Sequence, residues 1–353
     1  MYGMYDLITA TSMGVRITPP DRQPVGTGNA YVMYSTSAES NVLNVSASLG
    51  LKTKALTAFV KGSPIAAFIR RDLARRGIQS EGPEIDQGGP WGHRHQFNIA
   101  DSGFGPRGPR VYNDRAGEVG RLLSATHFDL DRIFGQDGAR MIHFSGLFAA
   151  LSPETAEFCL ILAEKAKAQG TRISFDLNFR ASFWKDREKE LREAFHRIAS
   201  VSDVLIGNEE DYQLALGIEG PRAGGQDIHA QTEEFKDMIV EAAKAYPGVQ
   251  VFATTLREAL NANEHMWGAI LYMEGQWHLA QPRKIQVLDR IGGGDGFVGG
   301  LLYGLLKGWD GQRCVQFGWA TGAMAVTMLE DYASPADEQQ VWSIWQGNAR
   351  VLR

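Results

Sequence analysis

The sequence predicts an α/β protein with a doubly wound, mostly parallel sheet and a small β-sheet lid. The first observation is that short apolar segments alternate with helical segments from about residue 141 to residue 254. Such alternation is typical of a parallel sheet with helices on both faces. The second observation is that two early segments, 14–37 and 91–115, do not fit this alternation. They are strand-like and rich in turn residues and aromatic residues, and we interpret them as the lid.

Local signals predict the individual elements. Ser152 and Pro153 form an N-cap with proline at the first helical position, which opens a helix that ends near Gly170. Pro247 and Gly248 end a later helix before the next strand. Strands are predicted at residues 5–11, 141–144, 173–176, 204–206, 249–254 and 285–288. Helices are predicted at residues 41–49, 64–76, 153–170, 209–216 and 232–246, and one after another through 301–329.

The predicted main domain comprises residues 1–13, 38–90 and 116–353, and the predicted lid comprises residues 14–37 and 91–115. Ligands of such sheets bind at the carboxyl ends of the strands. The polar residues that follow the predicted strands are therefore candidates for the site. They are Asn178, Arg180, Asn208, Asp211, Thr255 and Arg257.

Composition favours a globular protein that acts on small molecules. The chain has 353 residues, with 36 Lys and Arg against 41 Asp and Glu and a net charge of −5. No long like-charged block occurs, so neither nucleic acid nor an anionic membrane is an expected partner. No apolar run approaches the ~20 residues of a membrane span, and no signal-peptide pattern opens the chain, so we expect a cytoplasmic protein. Cys159 and Cys314 lie in apolar helical patterns, which argues against a disulfide framework.

The most informative segment is a run of three glycines, Gly292, Gly293 and Gly294, followed by Asp295 at the start of an apolar helix. Glycine lets the backbone turn with positive φ and present its N–H groups, and the helix dipole adds positive potential. The pattern therefore predicts a phosphate-binding site. Asp295 is placed to take a proton from a hydroxyl that attacks a bound phosphoryl group. The alternative is a first-turn Asp that only favours the helix dipole.

Three other patterns do not support a site. His93 and His95 lie on one face of a predicted strand, but catalytic zinc needs three protein ligands and no third one is near in sequence. Gly294, Gly296 and Gly299 match the dinucleotide fingerprint, but the segment that follows is helical and lacks the second strand of a Rossmann unit. No Gly-Lys pair occurs in the chain, which excludes a Walker P-loop.

The chain resembles the ribokinase-like, or PfkB-type, carbohydrate kinase family over nearly its whole length. Its Asp-x-x-Gly-x-Gly-Asp signature is Asp289 to Asp295, and the family's Asn-x-x-Glu motif corresponds to Asn208 through Asp211. The segment from Asp176 to Arg180 is similar to the family's Asp-x-Asn-x-Arg. Within the family the chain is most similar to the 2-keto-3-deoxygluconate kinases, through segments at residues 16–20, 114–116, 141–146 and 254–258.

The resemblance implies an ATP- and Mg²⁺-dependent kinase, and it leaves a K⁺ requirement open. Asp295 is then the base, and the amides of Gly292 to Gly294 stabilise charge on the transferred phosphoryl group. Residues expected at the nucleotide are Asn208, Thr255, Arg257, Gly292 and Gly294. Asn208 and Asp211 are expected to position Mg²⁺, with a helix-capping pair as the alternative. Arg180 is expected to hold the triphosphate or a substrate carboxylate, with a salt bridge to Asp176 or a neighbouring residue as the alternative.

The acceptor side carries departures from the family pattern. Thr36 and Ser37 stand where a Gly-Gly pair is usual, so side chains are expected where the sugar normally meets backbone. Asn98 replaces a tyrosine that is common in the lid. Asn41 is expected to touch the substrate rather than merely cap a helix, and Arg115 to pair with a substrate carboxylate rather than lie solvated on the surface. Gly296 stands where Ser or Ala is usual.

These features predict a kinase that transfers phosphate to a primary hydroxyl of a sugar or sugar acid, with 2-keto-3-deoxygluconate as the first candidate. The alternatives are a fructokinase-like enzyme for another ketose or aldonate, and a nucleotide-binding regulator that lacks catalysis. Tyr31, Met33 and Trp91 suggest an apolar outer face on the lid, and such a face predicts a homodimer formed through the lid.

Overall fold

The computed structural model of the protein describes residues 4–222, 228 and 231–350. The strands are β1 (Tyr5–Ala10), β2 (Gly14–Thr18), β3 (Val32–Thr36), β4 (Thr53–Leu56), β5 (Phe59–Val60), β6 (Ile78–Glu81), β7 (Glu84–Ile85), β8 (Phe97–Ala100), β9 (Val111–Asp114), β10 (Ala139–Ser145), β11 (Arg172–Asp176), β12 (Val204–Ile206), β13 (Val251–Asn261), β14 (Glu264–Met273) and β15 (Gln276–Gln286). The helices are α1 (Ala38–Ser48), α2 (Pro64–Arg75), α3 (Gly146–Ala149), α4 (Pro153–Ala168), α5 (Ala181–Trp184), α6 (Glu188–Val201), α7 (Glu209–Leu216), α8 (Thr232–Ala245), α9 (Gly293–Leu306), α10 (Gly311–Ala325) and α11 (Glu338–Trp345). Among these described residues, no helix combines the length and the apolar character that crossing a bilayer requires.

In the described part of the chain, the main sheet has nine strands in the order β15-β14-β13-β12-β11-β10-β1-β4-β6. The strands from β13 to β6 in this order pair in parallel, and β13, β14 and β15 pair antiparallel at one edge. The predicted α/β class with a mostly parallel sheet is therefore confirmed. Because all parallel strands point the same way, their carboxyl ends share one edge, which is where ligands of such sheets bind.

Both faces of the main sheet are buried. Neighbouring residues of a strand point to opposite faces, and here they enter two separate apolar clusters. Leu7 and Met141 pack on the side of α1, α9 and α10, whereas Ile8 and Ile142 pack on the side of α4, α6 and α8. This arrangement explains the continuous apolar runs of the central strands, since neither face meets water.

The lid is a separate four-stranded sheet in the order β3-β2-β8-β9. Its strands lie within segments 14–37 and 91–115, as the sequence predicts. The boundaries between main domain and lid stay a prediction. Residues 1–3, 223–227, 229–230 and 351–353, which belong to the predicted main domain, lie outside the described residues.

The strand predicted at residues 249–254 is wrong at both ends. It begins at Val251 and continues to Asn261, so Thr255 and Arg257 lie within β13 rather than after it. Beyond Leu256 the strand is largely exposed and is held by its ladder with β14, not by burial. The apolar pattern of the sequence therefore ends before the strand does, and it predicts too early a strand end.

The turn between β13 and β14 touches the lid. The amide of Ala262 donates to the Gly105 carbonyl oxygen at 3.0 Å, and the amide of Gly105 donates to Asn263 Oδ1 at 2.6 Å. A cleft of about 570 Å³ lies between this hairpin and the lid segment 105–109, with Arg290 and His265 in its wall. The hairpin therefore extends one side of the site as far as the lid.

Candidate active site

The glycine loop forms an open helix N-terminus. Gly292 is the N-cap of α9 and has a φ of 83°, and a Cβ there would lie 1.8 Å from the carbonyl oxygen of Asp331. Only glycine fits this position. Gly292 also has no side chain that could accept from the first-turn amides. Within the described residues, no hydrogen bond engages the amides of Gly294 and Asp295. They remain available to an anion.

Asp295 lies in the first turn of α9, beside these amides. Its Oδ2 accepts a hydrogen bond from Asn41 Nδ2 at 2.8 Å. The carboxyl is closely surrounded by protein, and this burial raises its pKa to about 7. Asn41 and Arg180 oppose the rise in pKa, and the nearby Glu39 and Asp331 add to it. A carboxylate with a pKa near neutrality is suited to exchange a proton.

The start of α1 lies on the other side of Asp295. Asn41 is buried and its Oδ1 has no hydrogen-bond partner. Glu39, two residues earlier, is also buried, and its Oε2 accepts from Thr11 Oγ1 at 2.6 Å while its Oε1 lacks a partner. Burial raises the pKa of Glu39. A buried polar atom without a partner costs free energy, so these atoms mark a place where a polar ligand would be stabilised.

Thr36 and Ser37 are buried, and their hydroxyls already have partners within the protein. Thr36 Oγ1 donates to Asp331 Oδ2 at 2.9 Å. Ser37 is the N-cap of α1 and its Oγ accepts from the Ser40 amide at 3.0 Å. The two hydroxyls therefore stabilise the backbone at the start of α1. Their expected contact with the sugar stays a prediction.

The lid contributes Asn98 and Arg115. Asn98 Oδ1 is buried without a partner on β8. Arg115 is mostly buried rather than solvated, because it pairs with the buried Glu118 at 2.6 Å and lies over the ring of Phe183. Its Nε has no partner. The alternative of a solvated surface arginine is thus wrong.

Three arginines gather on the other side of the glycine loop. Arg180 donates to the carbonyl oxygen of Phe179 at 2.7 Å, and the described residues provide no ion pair for it. The alternative of a salt bridge with Asp176 is therefore wrong. The Arg257 side chain reaches solvent, but burial of its inner part and the neighbouring Arg290 lower its pKa to about 10. Burial, followed by Arg180, also lowers the pKa of Arg290. Clustered cations that lower each other's pKa favour a bound anion.

Asn208 and Asp211 form the capping box of α7. Asn208 Oδ1 accepts from the Asp211 amide at 2.9 Å, and Asp211 Oδ2 accepts from the Asn208 amide at 2.8 Å. Asp211 Oδ1 also accepts from the amide of Phe179 at 2.8 Å. The structure thus gives the pair the alternative capping role. Their role toward Mg²⁺ stays a prediction.

Asp176, at the end of β11, completes the carboxylates of the site. Burial, followed by the proximity of Asp211 and Asp295, raises its pKa well above the ordinary value. Burial likewise raises the pKa of Asp211 to about 6. Within the described residues, no group of three or more His, Cys, Asp or Glu side chains is arranged to hold a metal ion. His95 contacts backbone atoms of Met13 and Val60 instead.

Gly296 has a structural reason to depart from the family pattern. A Cβ at Gly296 would lie 2.8 Å from both the Ala325 Cβ and the Thr321 carbonyl oxygen of α10. The two helices approach so closely here that Ser or Ala would require them to move apart. The close packing stabilises the helix that carries Asp295.

Comparison with known proteins identifies the family to which the chain belongs. The sequence pattern of the pfkB family carbohydrate kinases matches residues 16–337. The chain is a PfkB-family carbohydrate kinase. A solved 2-dehydro-3-deoxygluconokinase from Thermotoga maritima superimposes on this kinase with a TM-score of 0.85, at 26% identity, and the match covers 97% of this chain and 100% of that one. A putative Ribokinase II from E. coli, solved with ATP and Mg²⁺, shares the fold at 19% identity, with a TM-score of 0.77 over 98% of this chain and 100% of that one.

Two further relatives come from the curated proteins. The 2-dehydro-3-deoxygalactonokinase of Haloferax volcanii is 24% identical to this kinase over 348 residues, which are 99% of each chain. The 5-dehydro-2-deoxygluconokinase of Clostridium tetani is 25% identical over 333 residues, which are 91% of this chain and 87% of that one.

The structure places Asn41, Asp176 and Arg180 near Asp295 and Arg257 and Arg290 near Arg180, and it adds residues that sequence reasoning missed. Glu39, Arg290 and Asp331 all lie beside Asp295 or the glycine loop, and so does the buried Arg16. Arg290 could have been found, since a cation next to Asp289 in the signature is a visible signal. The others acquire their place only through tertiary contacts.

Proposed function

We propose that this kinase phosphorylates a primary hydroxyl of a sugar acid at the expense of ATP, with 2-keto-3-deoxygluconate as the first candidate acceptor. The observation that carries the proposal is the position of Asp295. A carboxylate with a pKa of about 7 lies at a helix N-terminus whose amides are free to bind a phosphoryl group.

The chemistry assigned to the chain is a proton transfer in a positioned complex. Asp295 accepts the proton of the acceptor hydroxyl, and the hydroxyl oxygen forms a bond to the γ-phosphorus of ATP as the bond to the bridging oxygen of ADP breaks. The amides of Gly294 and Asp295 stabilise charge on the phosphoryl oxygens. Asn41 holds Asp295 in place through its amide hydrogen bond at 2.8 Å.

The arginine cluster is assigned to the triphosphate. Arg180, Arg257 and Arg290 provide positive charge next to the glycine loop, and guanidinium groups bind phosphate oxygens in a forked geometry. Thr255 and Asn208, at neighbouring strands of the same sheet edge, are assigned to the nucleotide as well.

The carboxylates of Asp176 and Asp211 fit a cation nearby. Burial raises the pKa of both carboxyls, and Asp211 raises that of Asp176 further; a divalent ion beside them would offset that cost. Because both oxygens of Asp211 already accept amide hydrogen bonds, we assign Mg²⁺ mainly to the phosphates and water, with Asn208 and Asp211 positioning it from behind. A K⁺ requirement stays a prediction, tested by replacing K⁺ with Na⁺ in the assay.

The acceptor is assigned to the pocket between α1 and the lid. Unpartnered atoms of Asn41, Asn98 and Arg115 face this region, and an arginine suits a sugar carboxylate. The names of the relatives, which refer to dehydro-deoxy sugar acids, support this class of acceptor.

The test is a coupled assay of ADP release with a panel of acceptors. We expect 2-keto-3-deoxygluconate or a related keto-deoxy sugar acid to give the highest kcat/KM. Preference for fructose or an unmodified aldonate would support the fructokinase-like alternative. ATP binding by calorimetry without ADP release from any acceptor would contradict the proposal and favour the regulator.

We also propose a homodimer formed through the lid. Large apolar side chains are exposed there, and Trp91 is 97% and Tyr112 69% accessible. Light scattering at micromolar concentration should give twice the mass of the chain, and the double change Trp91→Ser with Tyr112→Ser should give a monomer. A wild-type monomer contradicts the proposal.

A further inference from the structure

The buried Arg16 connects the lid to the glycine loop. It lies in the middle of lid strand β2, opposite Tyr34 of β3 and Asn98 of β8, and its side chain is fully buried. Its two terminal nitrogens form ion pairs with Asp289 and Asp331. Neither carboxylate belongs to the lid, so this one side chain spans the boundary between the two sheets.

Both partners of Arg16 shape the phosphate site. Asp289 opens the glycine loop, and its Oδ1 accepts from the Ile291 amide at 3.0 Å. The backbone of Asp331 lies directly under Gly292, where a Cβ would be 1.8 Å from the Asp331 carbonyl oxygen. Asp331 also accepts from Thr36 of β3. A displacement of either carboxylate would therefore move the loop that presents the free amides.

The same group balances charge around Asp295. Two buried carboxylates without a cation would be strongly unfavourable, and Arg16 is their salt-bridge partner. Burial alone would lower the pKa of Arg16, but Asp331 and Asp289 outweigh it and raise the pKa. The charged or titratable groups that face Asp295 are Glu39 from α1, Asp331 after α10, Asp176 at the end of β11 and Arg180 after it.

We propose that Arg16 is a positioning residue that ties the lid to the glycine loop and offsets the negative charge of Asp289 and Asp331 next to that loop. This inference rests on the proposed function, since it assigns Asp295 as the base. Arg16 itself touches neither the acceptor nor the phosphates. It acts through Asp289 and Asp331.

The first test is the pH dependence of kcat/KM in three variants. Arg16→Met removes the cation, so the midpoint of the acid limb should move up by ~1 unit. Asp331→Asn removes a negative charge and should move the midpoint down. Arg16→Lys keeps the charge, but a lysine ammonium cannot bond both carboxylates at once as the forked guanidinium does. The midpoint should therefore stay unchanged while kcat falls by up to ~10²-fold.

The control is Arg283→Lys, an arginine that is stacked between Trp319 and Trp345 away from the site. It should change neither the midpoint nor kcat. A purely structural Arg16 would give variants that lose activity without opposite shifts of the midpoint, and that result overturns the charge role. Should Arg16→Met fail to fold, Arg16→Gln removes the same charge while it keeps a hydrogen-bond donor, and it should give the same upward shift.

The second test needs no turnover and separates this inference from the proposed function. The amides of Leu288 and Asp289 donate to the Val326 carbonyl oxygen at 2.8 and 3.1 Å. In Arg16→Lys, these amides and those of β2 should exchange with deuterium faster together, while the amides of β10 and β11 stay protected. Unchanged exchange at residues 288–289 overturns the connection even in an active enzyme. A wild-type protein that phosphorylates no acceptor contradicts the proposed function, whatever the exchange result.

Discussion

The two ends of the cleft differ in charge, exposure and the state of their polar groups. On the acceptor side, Asp295, Glu39 and Asp331 bring negative charge, and Asn41 and Asn98 keep buried oxygens without partners. On the nucleotide side, Arg180, Arg257 and Arg290 bring positive charge and reach solvent. The glycine loop lies between the two ends.

Under the proposed function, this difference assigns each reactant to its own end of the site. A polyanion is attracted to the clustered arginines, because its negative charge would offset their mutual repulsion and their partial desolvation. The acceptor must enter the buried pocket, where the low dielectric keeps a carboxylate basic. In the proposed mechanism, the phosphoryl group is transferred across the glycine loop, from the positive end toward the negative one.

The largest expected effect is at the acceptor end. Asp295→Asn keeps the shape and the contact with Asn41 but removes the proton acceptor, so kcat should fall by ~10²-fold or more. The affinity for ATP, measured by calorimetry, should stay within a few-fold of the wild-type value. Asp310→Asn is the control, because it makes the same change in an Asp at another helix start, the N-cap of α10. If Asp295→Asn turns over at the wild-type rate, Asp295 is only a first-turn residue.

A smaller effect is expected at the nucleotide end. Arg257→Met and Arg290→Met should each raise KM for ATP by ~10-fold, since a hydrogen bond to a charged group contributes about 1.5–3 kcal/mol. KM for the acceptor should stay within about twofold of its wild-type value. Arg197→Met, on the surface of α6, serves as the control. A rise in the acceptor's KM alone would place the acceptor carboxylate at these arginines and reverse the two ends.

The smallest effect concerns the boundary of the acceptor pocket. Ser37→Ala removes the N-cap hydrogen bond of α1, so the free energy of unfolding should fall by about 1 kcal/mol. The ranking of acceptors should stay the same, because the hydroxyl already serves the helix. Denaturant unfolding and the acceptor panel measure the two quantities. A changed ranking with unchanged stability would make Ser37 a substrate contact.

Much of the fold could be predicted because its signals are local. The strand Val204–Ile206 and the helix Glu209–Leu216 agree with the sequence to the residue, since Asn208 caps the helix and Gly217 ends it in a left-handed conformation. The C-terminal end of strand β13 cannot be read from the sequence. Its outer half is stabilised by pairing with β14, and such pairing leaves no apolar pattern.

The site residues, like the fold, could be predicted only where their signals are local. The glycines and Asp295 are adjacent in sequence, so their geometry follows from one motif. Arg16 and Asp331 are 315 residues apart, and Asn41 and Asp295 are 254 apart. No local pattern connects such residues. The hydroxyls of Thr36 and Ser37 show the same limit, since the sequence reveals the side chains but not the partners they find.

The central claim is that Asp295 is a base poised near neutrality, and the pH dependence of kcat/KM tests it most directly. Burial raises the pKa of Asp295 to about 7, so the residue is ionised and active above that pH and protonated below it. We predict that kcat/KM falls tenfold per pH unit below about 7, and that the residual activity of Asp295→Asn lacks this limb. A limb that persists in Asp295→Asn belongs to the nucleotide or to Asp211, whose pKa is about 6, and would contradict the account.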